Sequence, residues 1–230
     1  DQKFRNIIKA SIETGFVSKM PGYRNVTTVT TLEGNVEKLS DRLNMLPVFL
    51  GLNAAFMGLF IIASYIFLDK DEGTIRAFAV TPAKVWHYLL GKVGVLLVSG
   101  LMSGLVATVL IAGLKANYLH LIMLLIACNA FGSALGLFIA SFFDTMTKAM
   151  GWLYMSVIVL AFAAVSYYMP AFSPLIIRIL PSYPMLFAFR ETLYEVANVG
   201  YIYTNVIGFT LAGVVFFLLS NWRFKKTLTV

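Results

Sequence analysis

Charged side chains divide the chain into short polar stretches and five long runs that carry no charge: residues 43–68, 93–114, 121–143, 149–177 and 196–222. The shortest run has 22 residues, and about 20 apolar residues in a helix cross a hydrocarbon core of roughly 30 Å. Buried helices of soluble domains are shorter, so five such runs do not make a globular interior. Barrel strands are excluded too, because their mark is a short alternating segment. Backbone groups in lipid must pair within their own segment, which leaves the helix. The pattern therefore predicts an all-α polytopic membrane protein with five transmembrane helices. The fourth run carries Pro170 and Pro174, and its helix is expected to stop near Met169.

Composition agrees with the pattern. Apolar residues make up 59% of the chain and charged residues 13%, against about 45–50% and about 25% in soluble domains. Disorder, which needs low hydrophobicity and high charge, is excluded. One cysteine, Cys128, forms no internal disulfide and no structural metal site. Lys and Arg outnumber Asp and Glu by 18 to 11. The placement of that surplus points to membrane topology, not nucleic acid. Loop 69–92, loop 144–148 and the tail after Trp222 hold Lys70, Arg76, Lys84, Lys92, Lys148, Arg223, Lys225 and Lys226. The loops 115–120 and 170–200 hold only Lys115, Arg178 and Arg190. The positive-inside rule makes the first set cytoplasmic, the C-terminus included. Trp86, Trp152 and Trp222 gather near that boundary and seven tyrosines near the other, as amphipathic rings do at bilayer interfaces.

Residues 1–42 carry seven basic side chains and fall outside on this topology. They read either as a small extracytoplasmic domain or as a connecting loop before the 43–230 transmembrane domain. Phe4, Ile7, Ile8 and Ile12 suggest an amphipathic helix broken by Gly15, Pro21 and Gly22, and residues 26–32 a short strand. Pro47 is expected at or near the first turn of the first span. A further span before Asp1 is expected, giving six in all with both ends cytoplasmic.

Loop 69–92 carries the strongest local pattern. Asp71 and Glu72 precede a helix start at Gly73-Thr74, where acidic groups suit the helix dipole. Ile75, Phe78 and Ala79 share an apolar face, Pro82 ends the turn after Thr81, and a second short helix re-enters the membrane with Lys92 at its boundary. Such a helix on the membrane surface suits contact with a cytoplasmic partner; an ordinary interfacial helix is the plainer reading.

Glu72-Gly73-Thr74, then Thr81-Pro82, then Tyr88-Leu-Leu-Gly91-Lys92 resembles the signature of type-2 ABC exporter permeases. The resemblance covers residues 43–230 and extends to Leu180-Pro181-Ser182-Tyr183-Pro184 and Arg190-Glu191. Among subfamilies the chain is most similar to drug exporters, including fluoroquinolone-export permeases. The resemblance implies six spans and a cytoplasmic coupling helix within 69–92 formed by Glu72, Gly73, Thr74, Phe78, Thr81, Pro82, Gly91 and Lys92. Phe78 would be the apolar anchor, and Glu72 would hold the loop's geometry. It also implies a re-entrant helical hairpin within 170–200. There Pro181, Pro184, Arg190 and Glu191 are candidates for an outer gate; a solvated polar face is the alternative.

No GxxxxGK[ST] motif occurs in the chain: Gly91-Lys92 is followed by Val93 and has no glycine at the required offset. Mg-ATP is therefore expected on a separate ATP-binding subunit, in a unit of two permeases and two ATPases. No carboxylate lies inside a span, which argues against a proton- or sodium-coupled carrier and against an intramembrane protease. His87 and His120 sit at opposite interfaces and share no metal. The pairs Gly100/Gly104 and Gly132/Gly136 suit close helix packing, within one subunit or across a dimer. Asn53, Asn129 and Asn205 are placed to bond between helices or to touch substrate. The expected function is a permease subunit of an ATP-driven exporter in the plasma membrane, with no catalytic, metal or cofactor residue on this chain. It would move a hydrophobic or amphipathic compound, drug-like or lipid-like. A membrane scaffold without transport activity is the alternative.

Overall fold

A computed structural model describes residues 39–79, 81–82, 84–169 and 172–228, together with positions 5, 8, 9, 11, 12 and 15. The chain divides into two units, Asp1–Glu37 and Lys38–Val230. In the first, the described positions are helical and Ile8 and Ile12 are exposed. Phe4, Ile7, Pro21, Gly22 and the strand expected at 26–32 lie outside the described residues.

The second unit is helical, with no strand among the described residues. In chain order the helices are α1 (Asp41–Phe56), a π-helical turn (Met57–Ile61), α2 (Ile62–Asp71), α3 (Thr74–Ala79), α4 (Val85–Ala112), α5 (Tyr118–Ala140), α6 (Met146–Tyr168), α7 (Leu175–Ile179), α8 (Ser182–Glu191) and α9 (Val199–Leu228). Five pieces are long and apolar enough to span a membrane: Asp41–Asp71, Val85–Ala112, Tyr118–Ala140, Met146–Tyr168 and Val199–Lys226. Each contains most of one uncharged run, and all but Tyr118–Ala140 also take in charged residues that flank it. The fourth helix ends with Met169 as its cap, as the prolines after it require.

Three local expectations change. Pro47 lies well inside α1, not in its first turn. The helix starts at Asp41, and Leu46 and Leu50 beside the proline are fully buried. Packing of that kind compensates the backbone bond a proline removes, so membrane helices tolerate it. No separate short helix precedes the second span; α4 runs unbroken from Val85, with Lys92 within it. The last helix continues past Trp222 to Leu228, carrying Lys225 and Lys226 in its final turn.

Successive spans run antiparallel. Arg42 at the start of α1 donates to the carbonyl of Leu110 near the end of α4 (3.3 Å). The Tyr167 hydroxyl near the end of α6 donates to Asn44 Oδ1 (2.9 Å). His120 early in α5 stacks edge-on against Tyr203 early in α9. At the other end, Lys70 meets the end of α5 and Phe224 of α9. The basic loops thus collect at one end, and Tyr167 and Tyr203 lie at the other.

Helix α5 is the central post. It packs against α1, the π turn, α2, α4 and α6, and most extensively against α9. Small residues make this possible. A Cβ on Gly58 would lie 2.7 Å from the Gly132 carbonyl carbon, and one on Gly136 would lie 2.9 Å from the Leu59 Cα. Gly100 leaves room for the Asn129 carboxamide, and Gly104 for Leu125. Both glycine pairs therefore serve packing within the subunit. Asn53 donates across to Ser103 Oγ on α4 (3.0 Å), whereas Asn129 and Asn205 donate to carbonyls one turn back in their own helices.

Candidate functional site

The loop at the basic end is built around one carboxylate. Asp69, in the last turn of α2, falls in phase with Ile62 and Ile66 and is buried with them. Its Oδ2 accepts the Tyr88 hydroxyl and lies 2.7 Å from Lys92 Nζ. Tyr88 and Lys92 are four residues apart on α4 and so face α2 together. The Lys92 ammonium also sits over the rings of Tyr65 (5.3 Å) and Tyr88 (5.6 Å), a favourable position for a cation. The two ends of the loop are thereby pinned to each other.

Between those ends the chain makes one tight reversal. Glu72 caps α2, its N–H donating to the Leu68 carbonyl (2.9 Å). Gly73 takes φ of +72°, the left-handed region a glycine enters without a Cβ penalty. Its carbonyl then accepts from Ala77 (3.0 Å), within α3. Ile75 anchors α3 in a buried cluster with Ile66, Phe67, Leu89, Leu153 and Phe224. Phe78 is half-buried, its ring centroid 5.4 Å from that of Tyr88. The Thr81 hydroxyl and N–H both donate to the Phe78 carbonyl (2.7 and 3.1 Å), closing the turn. Continuous contact thus runs from Phe78 through Tyr88 to Asp69 and Lys92.

A second anchor lies beside it. Lys70 Nζ donates to the carbonyls of Ala140 (3.2 Å) and Phe143 (2.6 Å), at the end of α5. Its ammonium also lies over the Phe67 and Phe224 rings (4.9 and 5.5 Å). A cation at a helix C-terminus satisfies orphan carbonyls and complements the dipole. The start of the loop is in this way fixed to the central post.

The structure joins Phe78 and Lys92 through Tyr88 and Asp69, and places Gly73 and Thr74 at the turn. The Glu72 carboxylate, Pro82 and Gly91 are on the surface, and the Ala79 side chain lies outside the described residues. Asp69 and Lys70 are the site residues that sequence reasoning missed, and Tyr88 entered it only as part of the family signature. For Asp69 a signal existed, since it continues the buried stripe of Ile62 and Ile66.

At the opposite end α7 and α8 form the hairpin. Pro181 precedes α8 and Pro184 lies in its first turn, where the missing N–H costs little. Helix α8 packs on α1, α6 and α9. Leu186 lies against Gly51, where a Cβ would come 2.7 Å from its Cδ2. Gly51 is well inside α1, so α8 packs against the middle of that helix. The Arg190 guanidinium lies over the rings of Tyr167 (5.8 Å) and Tyr194 (5.6 Å), whereas Glu191 Oε2 accepts the Asn198 N–H (2.9 Å). The two candidate gate charges therefore have separate partners.

Comparison with known proteins bears on this arrangement. The family model described as ABC-2 family transporter protein matches residues 5–222, reaching further toward the N-terminus than the loop and hairpin motifs. Two fluoroquinolones export permease proteins of Mycobacterium tuberculosis, from strains CDC 1551 and H37Rv, are each 34% identical to the chain over 76 residues. That stretch is 33% of this chain and 32% of each relative, so the match spans about a third of the curated relatives' length. No solved structure matches.

Proposed function

The chain belongs to the ABC-2 family of transporter proteins, and from that premise we propose that it is the permease subunit of an ATP-driven exporter. In this reading it works with a second permease and two copies of a separate ATP-binding subunit, which holds the Mg-ATP. It moves an amphipathic or hydrophobic compound outward, as the relatives named fluoroquinolones export permease proteins suggest. The basic end is cytoplasmic and the hairpin end extracytoplasmic.

One observation carries the proposal. Helix α3 is held at the basic end by a clamp that includes a partly buried ion pair, and it presents a half-exposed Phe78. A surface helix tied rigidly to two spans can pass a push from an ATPase into both of them; a simple turn would absorb it. Gly73, Thr74 and Thr81 shape the helix ends, and Lys92 holds its base. The aromatic and methionine content of the apolar spans suits adaptable contacts with an amphipathic substrate.

The test is to purify the tagged chain, identify the ATPase that arrives with it, and reconstitute both in vesicles. ATP-dependent export of an amphipathic aromatic compound, together with its stimulation of ATP hydrolysis, is the expected result. Recovery of the chain without any ATPase, and no transport, would favour the scaffold reading.

A further inference from the structure

Arg190 differs from other basic side chains of the membrane unit in what it lacks. Lys92 pairs with Asp69 and Lys148 with Asp144. Arg42 and Lys70 donate to carbonyls, and Arg178 donates to Ser173 Oγ. Arg190, in the last turn of α8, is half-buried, and its Nε is enclosed with no hydrogen-bond partner among the described residues. Among those residues no carboxylate lies within ion-pair distance of it. Its neighbour Glu191 is engaged by the Asn198 N–H. The surroundings are aromatic: the rings of Tyr167 and Tyr194 flank the guanidinium at 5.8 and 5.6 Å, near the outer limit of a cation–ring contact. Tyr167 is fixed by its bond to Asn44 and by ring contacts with Tyr168 (5.4 Å) and Phe187 (5.5 Å). Tyr168 is 49% exposed, so the cluster reaches the surface. Ring contacts at this range are weaker than the hydrogen bonds that an enclosed guanidinium forgoes, and a charge out of water calls for a counter-charge.

We propose that Arg190 receives the carboxylate of an amphipathic compound at the hairpin end, with the compound's apolar part against the rings of Tyr167 and Tyr168. This rests on the exporter reading and adds to it the charge of the compound and the residue that selects it. A planar guanidinium presents parallel N–H donors that match one carboxylate in a two-bond geometry. One guanidinium among phenol rings suits a singly charged group; a phosphate monoester, with its higher charge, calls for more donors. The five uncharged runs hold no carboxylate that would draw a cationic compound toward this end. A single placed polar group at the rim of an apolar surface orients an amphipathic ligand and sets its specificity.

The experiment uses the full chain in mild detergent and two fluorescent probes of one shape, pyrenebutyrate and its neutral amide, with binding read by anisotropy against empty micelles. The carboxylate is expected to bind roughly tenfold tighter than the amide. Arg190→Gln should bring that ratio close to one. Arg190→Lys should keep part of it, since the charge stays and the two-bond fork is lost; if the Gln variant does not fold, an undiminished ratio in Arg190→Lys overturns the proposal. Arg178→Gln removes a cation that already has a partner at the same end and should leave the ratio unchanged, which separates one site from general attraction. Equal binding of the two probes by the parent chain, an unchanged ratio in Arg190→Gln, or competitive displacement of pyrenebutyrate by phosphatidylglycerol would overturn the proposal. Vesicles containing the ATPase tell the two readings apart. Equal ATP-dependent export of both probes would remove the selection by Arg190 and leave the exporter standing, whereas a binding ratio that Arg190→Gln abolishes, with no ATP-dependent export, would leave the anion site and remove the exporter.

Discussion

Asp69 and Lys92 stand 2.7 Å apart, one in the last turn of the first span and the other near the start of the second. The carboxylate is nearly buried and the ammonium partly open to solvent. Removing one partner strands the other, whereas removing both charges does not. Asp69→Asn keeps an acceptor for Tyr88 and loses the charge. It should lower stability by ~1–3 kcal/mol and impair transport. Asp69→Asn combined with Lys92→Met should recover part of the stability lost. Thermal unfolding of the three variants in detergent checks the order; a double variant less stable than Asp69→Asn would argue against the clamp.

Phe78 tests coupling. Its ring packs on Tyr88 and the residue is only half-buried. Phe78→Ala should cut transport by roughly tenfold or more, as loss of an interface anchor does, with basal ATP hydrolysis by the partner retained. Glu72→Ala should change stability by no more than about 0.5 kcal/mol, since its carboxylate is on the surface. Any transport it loses would then report a contact with the partner. Vesicle assays of both activities separate these outcomes.

Orientation follows from charge. Cys128 is fully buried, so the parent chain provides an unlabelled background. A membrane-impermeant maleimide applied to intact cells should label Val196→Cys, whose position is 90% exposed at the hairpin end. Lys84→Cys should label only after permeabilisation. Labelling of both from outside would refute the topology.

Glycines of α4 and α5 give opposite expectations. Gly136→Ala would press a methyl group to 2.9 Å from the Leu59 backbone and should destabilise by ~1–3 kcal/mol. Gly94→Ala meets no atom within 4 Å and should stabilise its helix by up to about 1 kcal/mol. Denaturation midpoints of the two variants check the contrast.

The five spans were legible because an uncharged run of 22 residues or more has few structural solutions in or out of a membrane. Gly73-Thr74 was legible as the start of a helix because an acidic pair before it suits the helix dipole, whereas the left-handed conformation of Gly73 was not read. The clamp was harder to read. Asp69, Asp71 and Glu72 crowd into four positions, and composition alone ranks none above the others. Only the phase of α2 decides which turns inward, and that phase is set by the π turn upstream, which has no sequence mark comparable to a proline. Arg190 and Glu191 looked like one charged pair because they are neighbours, yet successive helical residues point in different directions. The anchoring of Lys70 depends on a helix 70 residues away and was invisible locally.

The π turn at Met57–Ile61 has a consequence for register. Counting on from Leu46 and Leu50 in unbroken α-helical steps reaches Tyr65 and Leu68, both exposed, whereas the buried stripe runs through Ile62, Ile66 and Asp69. The wider turn absorbs one extra residue and rotates everything after it by about 100°. The first span therefore behaves as two keyed shafts joined by an offset coupling, the upper keyed to the hairpin and the lower to the loop. Deleting one residue from the π turn would leave both shafts helical and apolar, yet swing Asp69 away from Tyr88 and Lys92, unlocking the basic end by a change made deep in the membrane.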